Sequence, residues 1–346
     1  MVVQALRRGR CGRDDRRVKK AILVDDARRM LRSRADLVDR GWSDRRLRVA
    51  VDGGQLVRVR KGWFVTAAAW IDLWPEGRHL LEVVAASNDL AGGTHVFSHV
   101  SAAVLWKLPL FRIVPLRVHE TGTTRRHASS TPGVQRHEDR LTEADVAVVD
   151  GIRCPSLERT VLDVGRVATP EAAVAVADAA LTLGTGMDHR AYDERAAEEW
   201  RVSMSERVAG AGAIRGVRQV RWVIEFADGR AQLPGESVSR LQLSRLGFRK
   251  LSLQVPVPAP DGSIYWVDIG MDDVLSFGEF DGKTKYLDAA MRQGLSVEEI
   301  VLREKQREDW IRGTTHRRFA RWGDEHIGTP ELLGARLASF GIRPRG

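Results

Sequence analysis

Cysteine is nearly missing. Cys11 and Cys154 are the only two in 346 residues, too few for a disulfide scaffold or a zinc site and consistent with a reducing cytoplasm. Long apolar runs are missing too. No stretch reaches the roughly 18 residues a membrane helix needs, and Ala21 to Val24 is too short for a signal-peptide core. The expected location is the cytoplasm, with no membrane partner. What the chain has in excess is positive charge: a formal +9 and a pI near 10.0, which point to a polyanionic partner. Residues 1–66 hold 19 Lys and Arg against 8 Asp and Glu, so the surplus sits at one end and the remainder is close to neutral. That concentration favours nucleic acid over a merely solvated surface.

A chain of this length implies two or three domains. Residues 1–18 (Arg7, Arg8, Arg10, Arg13, Arg16, Arg17) show almost no apolar periodicity and read as a mobile basic arm. From 19 to 68 the pattern tightens. A helix is predicted through Ala21 to Met30, a second capped by Ser33 and ended by Gly41, and a third capped by Ser43. The third turns Leu47, Ala50 and Val51 inward and leaves Arg45, Arg46 and Arg48 largely outside. Two alternating runs come next, Leu56 to Arg60 and Trp63 to Val65, with Lys61-Gly62 at the tip. Three helices closed by a basic hairpin make a winged helix-turn-helix. Its third helix would enter the major groove of duplex DNA, and Arg58, Arg60 and Lys61 would meet phosphates. Small helical domains of this shape also bind proteins.

The run Ala35-Asp36-Leu37-Val38-Asp39-Arg40-Gly41-Trp42-Ser43, with Leu56 to Val65, resembles the N-terminal DNA-binding domain of the AbiEi-type (type IV) antitoxin family of bacterial regulators. Residues 70–184 resemble that family's second domain, in Phe97-Ser98-His99-Val100-Ser101-Ala102-Ala103 and in Cys154-Pro155-Ser156-Leu157-Glu158-Arg159-Thr160-Val161-Leu162-Asp163. The pattern here predicts an α+β scaffold: helices through His79 to Ala91, from Phe97, at Leu157 to Val167 and at Pro170 to Leu183, and strands at Ile113 to Glu120 and Asp145 to Val149. Ser98 and His99 are adjacent, poorly disposed as nucleophile and base, and read as a capping pair. Arg159 and Asp163, four apart on a helix, read as an ion pair. Residues 185–227 read as a linker and then a helix, Val217 to Phe226.

Residues 228–346 predict a helix from Pro234, strands at Leu251 to Val257, Ile264 to Met271 and Val274 to Phe280, a charged helix from Val297 to Ile311, and a last strand ending at Trp322. Asp272-Asp273 forms a turn that sets Asp268 beside Glu279. Two facing, half-buried carboxylates are costly unless a cation lies between them, and magnesium is commonly held by one or two carboxylates plus phosphate. The element order, with Glu236, Asp268, Glu279 and Lys283 at those points, resembles the PD-(D/E)XK nuclease fold, within it the restriction-endonuclease-like α/β domain related to very-short-patch repair endonucleases. The matching words are Leu233-Pro234-Gly235-Glu236-Ser237, Val267-Asp268, Gly278 to Tyr286 and Glu304-Lys305-Gln306-Arg307-Glu308.

The resemblance implies that Asp268 and Glu279 bind Mg2+ (or Mn2+), with Glu236 completing the acidic cluster. Asp281 stands where the usual motif has its lysine, so Lys283, Lys285 or Lys305 is left to steady the attacking water, and Arg307 to touch phosphate or pair with Glu304 or Glu308. A first-turn glutamate such as Glu236 also suits a helix dipole by itself. Two functions stay open. One is a DNA-binding, magnesium-dependent endonuclease in phage defence or repair. The other is a non-catalytic antitoxin-type regulator with a cognate toxin. A homodimer is open in either case.

Overall fold

The computed structural model describes residues 21–90, 95–122, 130, 132–188, 191–212, 214–282 and 296–345; the basic arm, Lys283 and Lys285 lie outside them. Helix α1 spans Val24–Met30. In the capping pair that starts α2 (Arg34–Asp39), Ser33 Oγ accepts from the Asp36 amide and the Asp36 carboxylate accepts from the Ser33 amide. Ser43 Oγ accepts from the Arg46 amide and starts α3 (Asp44–Asp52). Strands β2 (Leu56–Arg60) and β3 (Trp63–Thr66) turn at Gly62, whose φ of 83° favours glycine. Strand β1 (Arg32–Ser33) joins β3 on its other side. Leu37, Leu47 and Phe64 close a small core between α2, α3 and the hairpin.

Helix α1 stays out of that core. Its Val24 and Ala27, with Leu31, bury in the larger core of the chain, against α5 (Pro75–Asp89). The N-terminal segment is thus joined to the central core through α1 and through the short α4 (Ala67–Ile71), whose Ala69 and Trp70 pack against it. The larger core also takes α6 (His99–Leu105), α7 (Leu157–Val167) and the alanine-rich α8 (Pro170–Thr185). Beside it lie a sheet of β4 (Val96–Phe97), β5 (Val118–Thr121) and β6 (Val134–His137), and a hairpin of β7 (Val146–Val149) and β8 (Ile152–Pro155). Strand β5 is shorter than the Ile113 to Glu120 expected, because Val114 and Leu116 are exposed and leave nothing for a strand to bury.

The stretch 185–227, expected to be mostly linker, carries α9 (Glu194–Gly210) and α10 (Val217–Phe226), both packed on α8. Ala197, Trp200, Met204 and Val208 recur at helical spacing and are buried. The charges filling the rest of α9 hide this period in the sequence.

Past residue 230 a second layered unit begins. It runs α11 (Pro234–Arg245), β9 (Leu251–Pro258), β10 (Ile264–Met271), a short 3-10 turn at Asp272–Val274, β11 (Ser276–Phe280), α12 (Val297–Thr315), β12 (Arg318–Trp322) and α13 (Pro330–Ala338). The sheet order is β12-β11-β10-β9, antiparallel except for β11 beside β12. One face packs under α11 and α13 through Val238, Leu243, Ile269, Phe280 and Leu333. The other packs under α12 through Val267, Phe277, Ile311 and Phe319. The chain is therefore a mixed α/β protein with several small sheets. Its two cores meet at α8 and α11, where Arg240 Nη2 lies 3.0 and 3.1 Å from the Asp178 oxygens in a fully buried pair.

Candidate functional site

Positions 254, 268 and 279 line up across neighbouring strands. Gln254 has left-handed backbone (φ 48°), and at this rung β9 and β10 change the face they bury. Leu253 and Ile269 go under α11, Val257 and Val267 under α12. The β10–β11 pairing ends at Ile269 and Gly278. One rung further, Asp268 Oδ2 accepts from the Phe280 amide at 3.0 Å, so the carboxylate takes over where the ladder stops. Glu236 arrives from the first turn of α11, where its Oε2 accepts from the Gln232 amide (2.9 Å) and Gln254 Nε2 (3.3 Å). Gly235 permits that approach, since a Cβ there would stand 2.1 Å from Phe280 Cε1. Glu236, Asp268 and Glu279 are all buried, and the hairpin sets Asp268 beside Glu279 on neighbouring strands.

Glu279, however, has cations of its own. Arg307 Nη1 on α12 lies 2.7 Å from Glu279 Oε1, and Arg321 Nη2 on β12 lies 3.1 Å from Oε2. Arg321 also meets Glu304 at 3.0 Å and Glu308 at 3.1 Å, so the glutamate is one member of a closed charge network. Hard carboxylate oxygens are the right donors for magnesium, but both oxygens of Glu279 already face guanidiniums. The three carboxylates also do not fall within the 4.8 Å mutual reach that would mark a shared ion. As arranged, these residues do not fit a three-acid magnesium cage.

The helper residues separate in the same way. Lys305 is exposed on α12 and, among the described residues, forms no ion pair with the three acids. Asp281 lies 4.0 Å from Arg321 Nη1. Arg307 is half-buried and donates to the Trp266 carbonyl at 2.5 Å, so it serves Glu279 and the sheet rather than the surface.

At the other end, Arg45, Arg46 and Arg48 are exposed on α3, with Arg46 stacked 4.1 Å over the Trp42 ring. On the hairpin Arg58 and Lys61 are exposed. Arg60 departs from the expectation: its Nε lies 3.1 Å from Asp89 Oδ2 on α5, and the same aspartate accepts from Trp63 Nε1 at 2.7 Å. It fastens the hairpin to the central core. The pairing of Trp63 and Arg60 around one acid explains why this arginine turns inward.

A second cluster escaped the sequence reading. His99, His119 and His137 each offer a ring nitrogen within 4.8 Å of the others, and His99 shares a similar reach with Asp139 and Asp163. Ser98 does not cap α6; its hydroxyl instead contacts His99 Nδ1 (3.2 Å) and accepts from Thr121 Oγ1 (2.8 Å). The three histidines lie far apart in sequence, and His137 ends a strand that no alternation announced. The expected pair of Arg159 and Asp163 is present, with Nε donating to Oδ1 at 2.9 Å. Burial pushes the Cys154 thiol up to about 12, which removes it as a nucleophile at neutral pH.

No protein-family model matches the chain. Two uncharacterized proteins of Mycobacterium tuberculosis are similar to it: MT2308 of strain CDC 1551 / Oshkosh and Rv2248 of strain H37Rv. Each is 28% identical over 235 residues, covering 68% of this chain and 77% of the relative. No helix among the described residues is long and apolar enough to cross a membrane.

Proposed function

We propose that this chain is a duplex-DNA-binding regulator of the antitoxin type, whose C-terminal unit has the PD-(D/E)XK endonuclease-like arrangement but holds DNA without cutting it. The winged helix supplies the docking: α3 presents Arg45, Arg46 and Arg48, and the hairpin presents Arg58 and Lys61. Exposed guanidiniums on a helix that fits the major groove, beside a cationic wing, provide both base and phosphate contacts. The observation that carries the non-catalytic part is Glu279, both of whose oxygens are neutralised by Arg307 and Arg321. A carboxylate so paired gives up most of its attraction for a divalent ion.

The second reading, a magnesium-dependent endonuclease, is favoured by one feature: Asp268 and Glu279 share one row of the sheet with Gln254, to which Glu236 of α11 is hydrogen-bonded. A single experiment separates the two. Full-length protein is incubated with supercoiled plasmid and short duplexes in magnesium or manganese, and nicking and gel retardation are scored together. The regulator retards DNA and leaves it intact. Nicking that disappears in Asp268→Ala while retardation persists would establish the enzyme instead, and absence of any retardation would remove both.

A further inference from the structure

The imidazole cluster lies apart from both the winged helix and the acidic row, and neither reading uses it. His99 is the first residue of α6, at the left-handed φ of 51°, a conformation that costs energy for a residue with a Cβ. His119 lies on β5 and His137 ends β6, and the two strands are parallel neighbours. His119 Nδ1 and His137 Nε2 approach to 2.9 Å, and the His99 ring stacks on His137 with centroids 3.6 Å apart. Two ring nitrogens that close must share a proton or a cation.

His99 Nε2 is also 3.7 Å from Asp139 Oδ2. Asp163 completes that group, and its Oδ2 is buried with no hydrogen-bond partner. Arg159 Nε pairs with Asp163 Oδ1 at 2.9 Å and Arg166 Nη2 lies 3.3 Å from Asp139 Oδ1, so Asp163 Oδ2 is the acceptor left over, which is costly in a buried place.

We propose that His99, His119 and His137 bind one late first-row divalent metal ion, zinc foremost, beside the ion pairs that Asp139 makes with Arg166 and Asp163 with Arg159. Three imidazoles suit zinc, cobalt, nickel or copper far better than magnesium, and three protein ligands leave a fourth position for water or a further ligand. Histidine ligands typically give their second ring N–H to an outer acceptor. Here Ser98 Oγ takes that part for His99 Nδ1 and is itself held by Thr121 Oγ1. The ligands must also be neutral. Burial, ahead of repulsion from the neighbouring imidazoles, lowers His99 to about 2 and His119 to about 4. His119 and His137 are half-buried, so an ion has a way in. The shortage of cysteine bears only on thiolate zinc sites, not on one built from imidazoles.

The test uses full-length protein without a polyhistidine tag, stripped with chelator and titrated with Zn2+ or Co2+. One equivalent is expected to bind, with visible ligand-field bands for the cobalt form and a raised melting temperature. His119→Asn/His137→Asn should lose the site, Ser98→Ala should weaken it roughly 10-fold, and Asp268→Asn should retain it. A wild-type protein that binds no stoichiometric metal, or a double variant that binds as well as wild type, overturns the site and leaves an imidazole hydrogen bond only. Should the double variant fail to fold, diethylpyrocarbonate labelling of wild type decides: zinc shields His119 and His137 if the site exists, and leaves their labelling unchanged if it does not.

Discussion

Arg307 reaches from α12 to Glu279 and sets a guanidinium nitrogen 2.7 Å from its carboxylate, on the far side of the sheet from α11. Through this contact Glu279 holds α12 against the sheet. Arg321 takes the second oxygen, so β11, β12 and α12 are tied at one point.

Arg307→Met should therefore act on stability before it acts on DNA. Leaving a buried charge wholly uncompensated costs about 3 kcal/mol or more; Glu279 keeps Arg321, so the loss here should be a fraction of that. Glu279→Gln combined with Arg307→Met should recover part of that loss. Urea midpoints of the two single variants and the double variant measure it. Additive losses would place the two side chains in separate environments.

The β2–β3 hairpin carries two kinds of basic residue. Arg58→Ala with Lys61→Ala should weaken DNA binding across sequences and reduce the slope of log K against log salt by roughly 2. Arg60→Ala should leave that slope alone and lower the melting temperature, because its partner is Asp89. Fluorescence anisotropy at several salt concentrations, with a thermal melt of each variant, distinguishes them.

Asp178 and Arg240 join the two cores, and here acid should help. Burial pushes the Asp178 carboxyl above its usual range, against the pull of Arg240. In Arg240→Met the aspartate is left buried without a counter-charge, which destabilises by about 3–5 kcal/mol at neutral pH. A folded-state pKa above the unfolded one means the folded protein keeps its proton longer, so the defect shrinks as pH falls toward the ordinary carboxylate range. Denaturant midpoints of the variant against wild type, from neutral to mildly acidic buffer, should converge. A gap that widens in acid would contradict the assignment.

Cys154 should resist alkylation. With its thiol raised to about 12 by burial, a Cys11→Ser chain in native buffer at mildly alkaline pH should stay unmodified by iodoacetamide and become labelled in denaturant. Rapid native labelling would show that β8 opens readily.

Much of the architecture is legible because its signals are local. Ser33, Ser43 and Ser156 each start a helix by accepting a backbone amide three residues on, and that geometry needs only neighbours in sequence. The Asp272-Asp273 turn places Asp268 and Glu279 together for the same reason: a short connection leaves two strands few registers to choose from. Helix α9 is hidden because charge outnumbers its four buried positions, and β6 because a four-residue strand with one apolar anchor shows no alternation.

Charge, most caps and the turns were thus determined by the sequence alone, since each depends on contacts within a few residues. Which ion each charged or ligating side chain faces was decided only by the tertiary structure. Arg60 turns to Asp89 and not to solvent, Glu279 to two arginines, and three histidines from separate elements turn to one another. Those choices rest on distances across elements far apart in the chain, set when apolar faces bury and carry their polar neighbours to places no local rule specifies.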